Sequence, residues 1–179
     1  MLICKETIKE NTDIRKSEVL LWNKIAIKSS DVDVNLYSVD KILDIGSVMV
    51  KTCIEDGGIG LAAPQIGIYK NIVIVQDMDE DSDSYKTKPY YEIFVNPAFS
   101  PSTDKGKNTK EESCLSVPGK SYPISRWNEI SVSFLTFQNG YFEKTEKTLF
   151  GMRARVLQHE LNHLNKISIV DVWKRQNRN

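Results

Sequence analysis

Histidine is nearly absent from this chain of 179 residues, which has two, His159 and His163. Cysteine is scarce and odd in number: Cys4, Cys53 and Cys114 form no CxxC pair, which argues against a disulfide framework and for free thiols or metal ligands in a reducing compartment. No apolar run approaches the roughly 20 residues that span a bilayer. The N-terminal MLICKETIKENTDIRKSEVLLW mixes acids and bases and has no apolar h-region of a signal peptide. A net charge is missing as well: 24 basic residues balance 24 acidic ones, so no global field recruits nucleic acid or anionic lipid. Repeats, linkers and low-complexity tracts are absent too. These absences predict a single domain over 1–179, cytoplasmic and free of the membrane, with 40% hydrophobic residues to fill one core.

Periodicity supplies the elements. Leu36, Val39, Ile42, Leu43, Ile45, Met49, Val50 and Cys53 recur at helical spacing, with Asn35 or Ser38 available as the N-cap and Glu55-Asp56-Gly57-Gly58 as the stop. Asn71 to Val75 and Tyr91 to Val95 read as short, largely buried strands joined by an acidic polar loop. Ile130, Val132 and Phe134 alternate with Ser131, Ser133 and Leu135, and Gln138-Asn139-Gly140 turns the chain into a partner strand beginning near Tyr141. Met152, Val156, His159 and His163 then fall on one helical stripe, which turns both histidines inward. Helices and hairpins are segregated rather than alternating, the pattern of an α+β fold. The final KRQNRN reads as a frayed basic tail.

Within the late helix, Gln158-His159-Glu160-Leu161-Asn162-His163 contains HExxH, in which histidines four apart converge on one cation while the glutamate reaches the adjacent water. Two imidazoles leave an open metal site one protein ligand short. No glutamate or histidine follows His163, and Asp171 is the only acid downstream. Cys114, bracketed by the acids and small residues of Glu111-Glu112-Ser113-Cys114-Leu115-Ser116, is the expected third ligand, whereas Cys53 on its helix reads as a buried apolar residue. A thiolate with two imidazoles suits iron(II), zinc, nickel or cobalt and disfavours magnesium or calcium.

Gly58-Ile59-Gly60-Leu61-Ala62-Ala63-Pro64-Gln65 spells GxGxxA, but it follows a helix rather than a strand, and Pro64 restricts Ala63 to extended geometry, so a dinucleotide site is excluded. Its glycines admit a close second backbone, so the segment can serve as an edge for an extended peptide. Gln65 then offers a neutral amide donor for a developing oxyanion.

In that order, GIGLAAPQ, EESCLS and QHELNH resemble the three signature segments of the peptide deformylase family, over roughly Leu36 to Asp171. The resemblance implies small antiparallel sheets and hairpins packed around a central helix carrying HExxH. It implies a hydrolase that removes the formyl group from the N-terminal formylmethionine of nascent polypeptides and releases formate. By position, Cys114, His159 and His163 become the ligands of one divalent ion per chain, natively Fe2+, with Zn2+, Ni2+ or Co2+ able to substitute. Glu160 becomes the general acid/base for a metal-activated water attacking the formyl carbon, with Gln65 and the Leu115 backbone N–H as oxyanion donors. Ile59, Gly60 and Ser113 line the substrate groove, and Arg126 matches an arginine that often follows the cysteine segment. The partners implied are an N-formylmethionyl peptide and a transient contact with the ribosome, for a monomer with no nucleic-acid motif of its own. Three positions depart from the pattern: Ser113 for glycine, Asn162 for aspartate and Lys166 for glycine. The chain stops a few residues after Trp173, so a minimal form like those of bacteriophages and some bacteria is expected.

Two other readings compete. A small zincin-like peptidase would cleave internal bonds and need no Cys114, and a non-catalytic metal-bearing relative would have its groove closed by Ser113 and Asn162. Asp77, Asp79, Asp81 and Asp83 alternate as in a calcium loop but lack the glycine and the closing glutamate, so a solvated loop is expected.

Overall fold

The structure, a computed structural model, describes residues 1–78 and 90–178. The acidic stretch containing Asp79, Asp81 and Asp83 therefore lies outside the described residues, while Asp77 pairs with Arg153 at 2.6 Å.

A helix, α2 (Val39–Glu55), follows a strand β1 (Leu2–Cys4) and a short helix α1 (Lys5–Glu10). Ser38 is the cap: its hydroxyl accepts from the Lys41 N–H at 3.2 Å, and Leu36 stays outside, exposed. Strands β2 (Gly60–Ala62), β3 (Ile72–Gln76), β4 (Tyr90–Pro101), β7 (Glu129–Gln138) and β8 (Tyr141–Phe150) then build an antiparallel sheet in the order β2-β3-β4-β7-β8, with β1 also paired to β4. The β7–β8 turn falls at Asn139 and Gly140, both at positive φ, as a tight two-residue hairpin requires. A second, two-stranded sheet pairs β5 (Lys107–Cys114) with β6 (Val117–Trp127). The fold is thus mixed α/β with antiparallel sheets.

Because side chains alternate across a strand, the unbroken apolar run of β3 serves two cores at once. Ile72 and Ile74 pack with Met49, Val50 and Cys53 of α2 on one face. Val73 and Val75 pack on the other with Leu157 and Leu161 of α3 (Gly151–Leu164). Strand β4 runs well past Val95 because a bulge there, with Asn96 at φ 49°, swings its second half onto β7.

Helix α3 is buried on nearly every side from Ala154 to Leu164 rather than along one stripe. It is enclosed because the β5–β6 hairpin and the N-terminal segment cover what the sheet does not. The tail is not frayed at its start: α4 (Ile169–Gln176) is capped by Ser168, and Gln176 bonds both the N–H and the C=O of Ser125. Trp173 packs on Tyr122 with ring centroids 5.6 Å apart. No helix among the described residues is long and apolar enough to cross a membrane.

Candidate metal centre

Histidines four apart on α3 and the last residue of β5 meet at one point. The Cys114 sulfur lies 3.2 Å from His163 Nε2, which is 3.3 Å from His159 Nε2. The three donor atoms all fall within 4.8 Å of one another. A sulfur and two ring nitrogens with lone pairs converging so closely fit a borderline cation, whose bonds to such atoms run at about 2.0–2.3 Å.

What orients these groups is the carboxylate of Glu112, in sequence only an acidic neighbour of Cys114. Glu112 stands two residues before Cys114 on β5, so both side chains point to the same buried face. Its Oε2 lies 3.0 Å from His159 Nδ1, and a proton held there leaves Nε2 as the donor atom. The same carboxylate accepts from Arg126 Nε at 2.8 Å, Arg126 Nη2 at 2.9 Å and Arg155 Nη1 at 2.5 Å. Burial alone would raise the Glu112 pKa, but the hydrogen bonds and charges of His159 and Arg126 outweigh it and hold it at about 2. Arg155 also donates to the carbonyls of Ile124 and Asn108, which fastens the β5–β6 hairpin to α3. Strand alternation around Cys114 is the one signal in the sequence that points to Glu112; nothing local marks Arg155.

The two imidazoles differ electrically. Burial lowers the pKa of His159, yet the bonds to Cys114 and Glu112 overcome it and push it up. Burial, reinforced by the charges of His159 and Arg126, drives His163 well below its ordinary value. A divalent cation held by these three atoms would compete with the second proton of His159.

Glu160, next in sequence to His159, is pushed up to about 7, by burial first, against the opposing pull of His159 and Arg126. Its Oε2 is buried and without a hydrogen-bond partner among the described residues. Gly60 faces this carboxylate so closely that an added Cβ would sit 2.9 Å from Glu160 Oε1 and would collide with Val156 Cγ1. Gln65 sits in the 3-10 turn Ala63–Ile66 that ends the extended segment. Its Oε1 accepts from the Ala62 N–H at 2.8 Å and its Nε2 donates to Ser116 Oγ at 3.2 Å, which fixes the amide's orientation and leaves one N–H unspent.

A cavity of about 600 Å³ is lined by Gly58, Ile59 and Gly60, by Ser113, Cys114 and Leu115 of the β5–β6 turn, and by Gln65, His159 and Glu160. All the residues expected at the site are thus brought together, with His163 buried beside Cys114 and His159. The three departures keep their places. Ser113 shares a 2.8 Å contact with Ser121 Oγ, and Asn162 still accepts from Arg126 Nη1 at 2.8 Å. Lys166 adopts φ 54°, the left-handed geometry that glycine takes most easily.

The buried Glu112 network gives a first expectation. Glu112→Gln leaves two buried guanidinium groups without a counter-charge and replaces one of the two oxygens that accept from them and from His159 with an amide NH2 that can only donate. Affinity for Zn2+ falls about 10- to 100-fold in a chelator competition, and metal-free stability in urea falls by about 3–5 kcal/mol.

Comparison with known proteins gives one answer. The sequence pattern of the polypeptide deformylase family matches residues 17–179. Peptide deformylase 1 of Clostridium perfringens is 34% identical over 132 residues, covering 74% of this chain and 81% of that protein. A Met-Ala-Ser-bound class I type b peptide deformylase from Acinetobacter baumannii superposes with a TM-score of 0.76 at 29% identity, over 89% of this chain and 99% of that one. A probable peptide deformylase from Synechococcus phage S-SSM7 gives a TM-score of 0.72 at 30% identity, over 88% and 99% of the two chains. With its extent of match and its Cys-His-His cluster, the chain belongs to the polypeptide deformylase family, hydrolases that remove the N-formyl group from nascent polypeptides.

Proposed function

We propose that deformylation occurs at a divalent ion held by Cys114, His159 and His163, with N-formylmethionyl peptides as substrates, and that residues 1–179 form one catalytic domain around the HExxH helix. The observation that carries this reading is the convergence of the three donor atoms within 4.8 Å beside a cavity edged by glycines. When bound, the ion supplies Lewis acidity, which lowers the pKa of water toward about 7 and polarises a carbonyl.

Glu160 receives the proton of the attacking water and returns it to the departing amine. Its burial, its unpartnered Oε2 and its pKa near 7 support that assignment. Gln65 donates its remaining amide hydrogen to the formyl oxygen as charge gathers there, together with the Leu115 N–H. Strand β2 lies at the edge of its sheet, so Ile59 and Gly60 accept an extended peptide as a further strand. Ser113, on the β5 side of the cavity, narrows the groove. The peptide bound by the Acinetobacter relative supports this class of substrate.

Fe2+ is the proposed native ion, with Zn2+, Ni2+ or Co2+ as substitutes, on the softness of one thiolate and two imidazoles. All the donors come from one chain, which supports a monomer as the working unit. The odd cysteine count with no CxxC pair supports the cytoplasm as the compartment, and a transient ribosome contact through exposed Lys174 and Arg175 belongs to the same reading.

The test is formate release from formyl-Met-Ala-Ser by protein loaded anaerobically with Fe2+, Ni2+ or Zn2+. Turnover is expected, and Gln65→Leu lowers kcat by roughly 10²- to 10³-fold while leaving the ion in place. Cleavage of internal peptide bonds without formate would favour the peptidase reading instead.

A further inference from the structure

The two histidine ligands are held in different ways. His159 gives its Nδ1 to Glu112, the usual arrangement for an imidazole that binds a metal. His163 Nδ1 is buried with no hydrogen-bond partner among the described residues, so no acceptor fixes the plane of that ring. What lies against it is an indole: the rings of Trp22 and His163 are 5.7 Å apart between centroids and tilted by 51°.

Trp22 comes from a segment that joins every part of the site. The Leu20 N–H donates to the Gln65 carbonyl at 2.7 Å, and the Trp22 N–H donates to the Ser116 carbonyl at 2.9 Å. Farther along, the Ser29 N–H reaches the Leu164 carbonyl at 2.9 Å, and Lys166 Nζ returns to the Ala26 carbonyl at 2.6 Å. The strap therefore crosses the Gln65 turn, the Cys114 turn and the end of the ligand helix, and Trp22 is fastened to the Cys114 turn with its ring against His163.

We infer that Trp22 is a positioning residue for the metal centre, its indole setting the ring plane of His163 in place of the hydrogen bond that His163 Nδ1 lacks. This rests on the reading that Cys114, His159 and His163 hold the ion. A bond to the metal requires the Nε2 lone pair to point at it, so rotation of an unrestrained ring costs affinity. A neighbouring aromatic ring packed at a tilt supplies the restraint.

Co2+ binding and its visible absorption in wild type, Trp22→Phe and Trp22→Leu test the assignment. Leucine keeps the apolar bulk and the backbone bond to Ser116 but has no ring, so a role confined to anchoring the strap would leave it equal to phenylalanine. The expected result is near-wild-type affinity for Trp22→Phe, with about 10-fold weaker binding and an altered absorption band for Trp22→Leu. Affinity and spectrum of Trp22→Leu within twofold of wild type would overturn the inference. If Trp22→Leu does not fold, the difference in emission between wild type and Trp22→Phe serves instead. Quenching of that share by Co2+ supports the contact, and its insensitivity to Co2+ refutes it. Failure of wild-type protein to bind Co2+ at all would sink the ligand assignment itself, a separate outcome.

Discussion

Glu160→Gln protein is expected to keep its metal and lose roughly 10²- to 10⁴-fold in kcat for formyl-Met-Ala-Ser, the range spanned by a positioned acid/base. The substitution preserves shape but removes a group that can accept a proton. Burial makes the role possible, because it lifts the carboxyl to about 7, close to the working pH, where taking and returning a proton are nearly balanced. Neither ligand histidine changes, so metal content measured on the same sample should equal that of wild type. Turnover within tenfold of wild type would remove Glu160 from the reaction.

Cys114→Ala is expected to have the larger effect on the ion. Outer partners of a metal site typically contribute about 10- to 100-fold in affinity. A ligand that bonds the ion directly contributes more, so binding of Zn2+ should weaken by more than about 100-fold and formate release should fall with it. The change also separates the two enzyme readings, since a zincin-like site would survive it. A variant that retains one metal per chain and full turnover would favour that alternative.

Much of this site was legible in the sequence because its parts are rare residues in tight spacing. Two histidines in the whole chain, four apart, constrain a helix strongly, and Asn139-Gly140 marks its hairpin because few residues tolerate positive φ. What escaped is the β5–β6 hairpin, and the reason is physical. Lys107 to Glu111 are exposed, and β5 turns only Glu112 and Cys114 inward. Strand β6 contains Pro118 and Pro123, which read as loop. With that hairpin unseen, the link between Glu112 and Arg155, 43 residues apart, had no local trace. The contact of Trp22 with His163 is equally silent, since a tryptophan in an irregular strap has no period to report its partner.

X-ray absorption at the metal edge of the loaded protein tests the central claim most directly. One sulfur at about 2.3 Å and two imidazole nitrogens at about 2.0–2.1 Å are expected. A coordination sphere of nitrogen and oxygen alone, with no sulfur, would contradict the assignment of Cys114 and the site built around it.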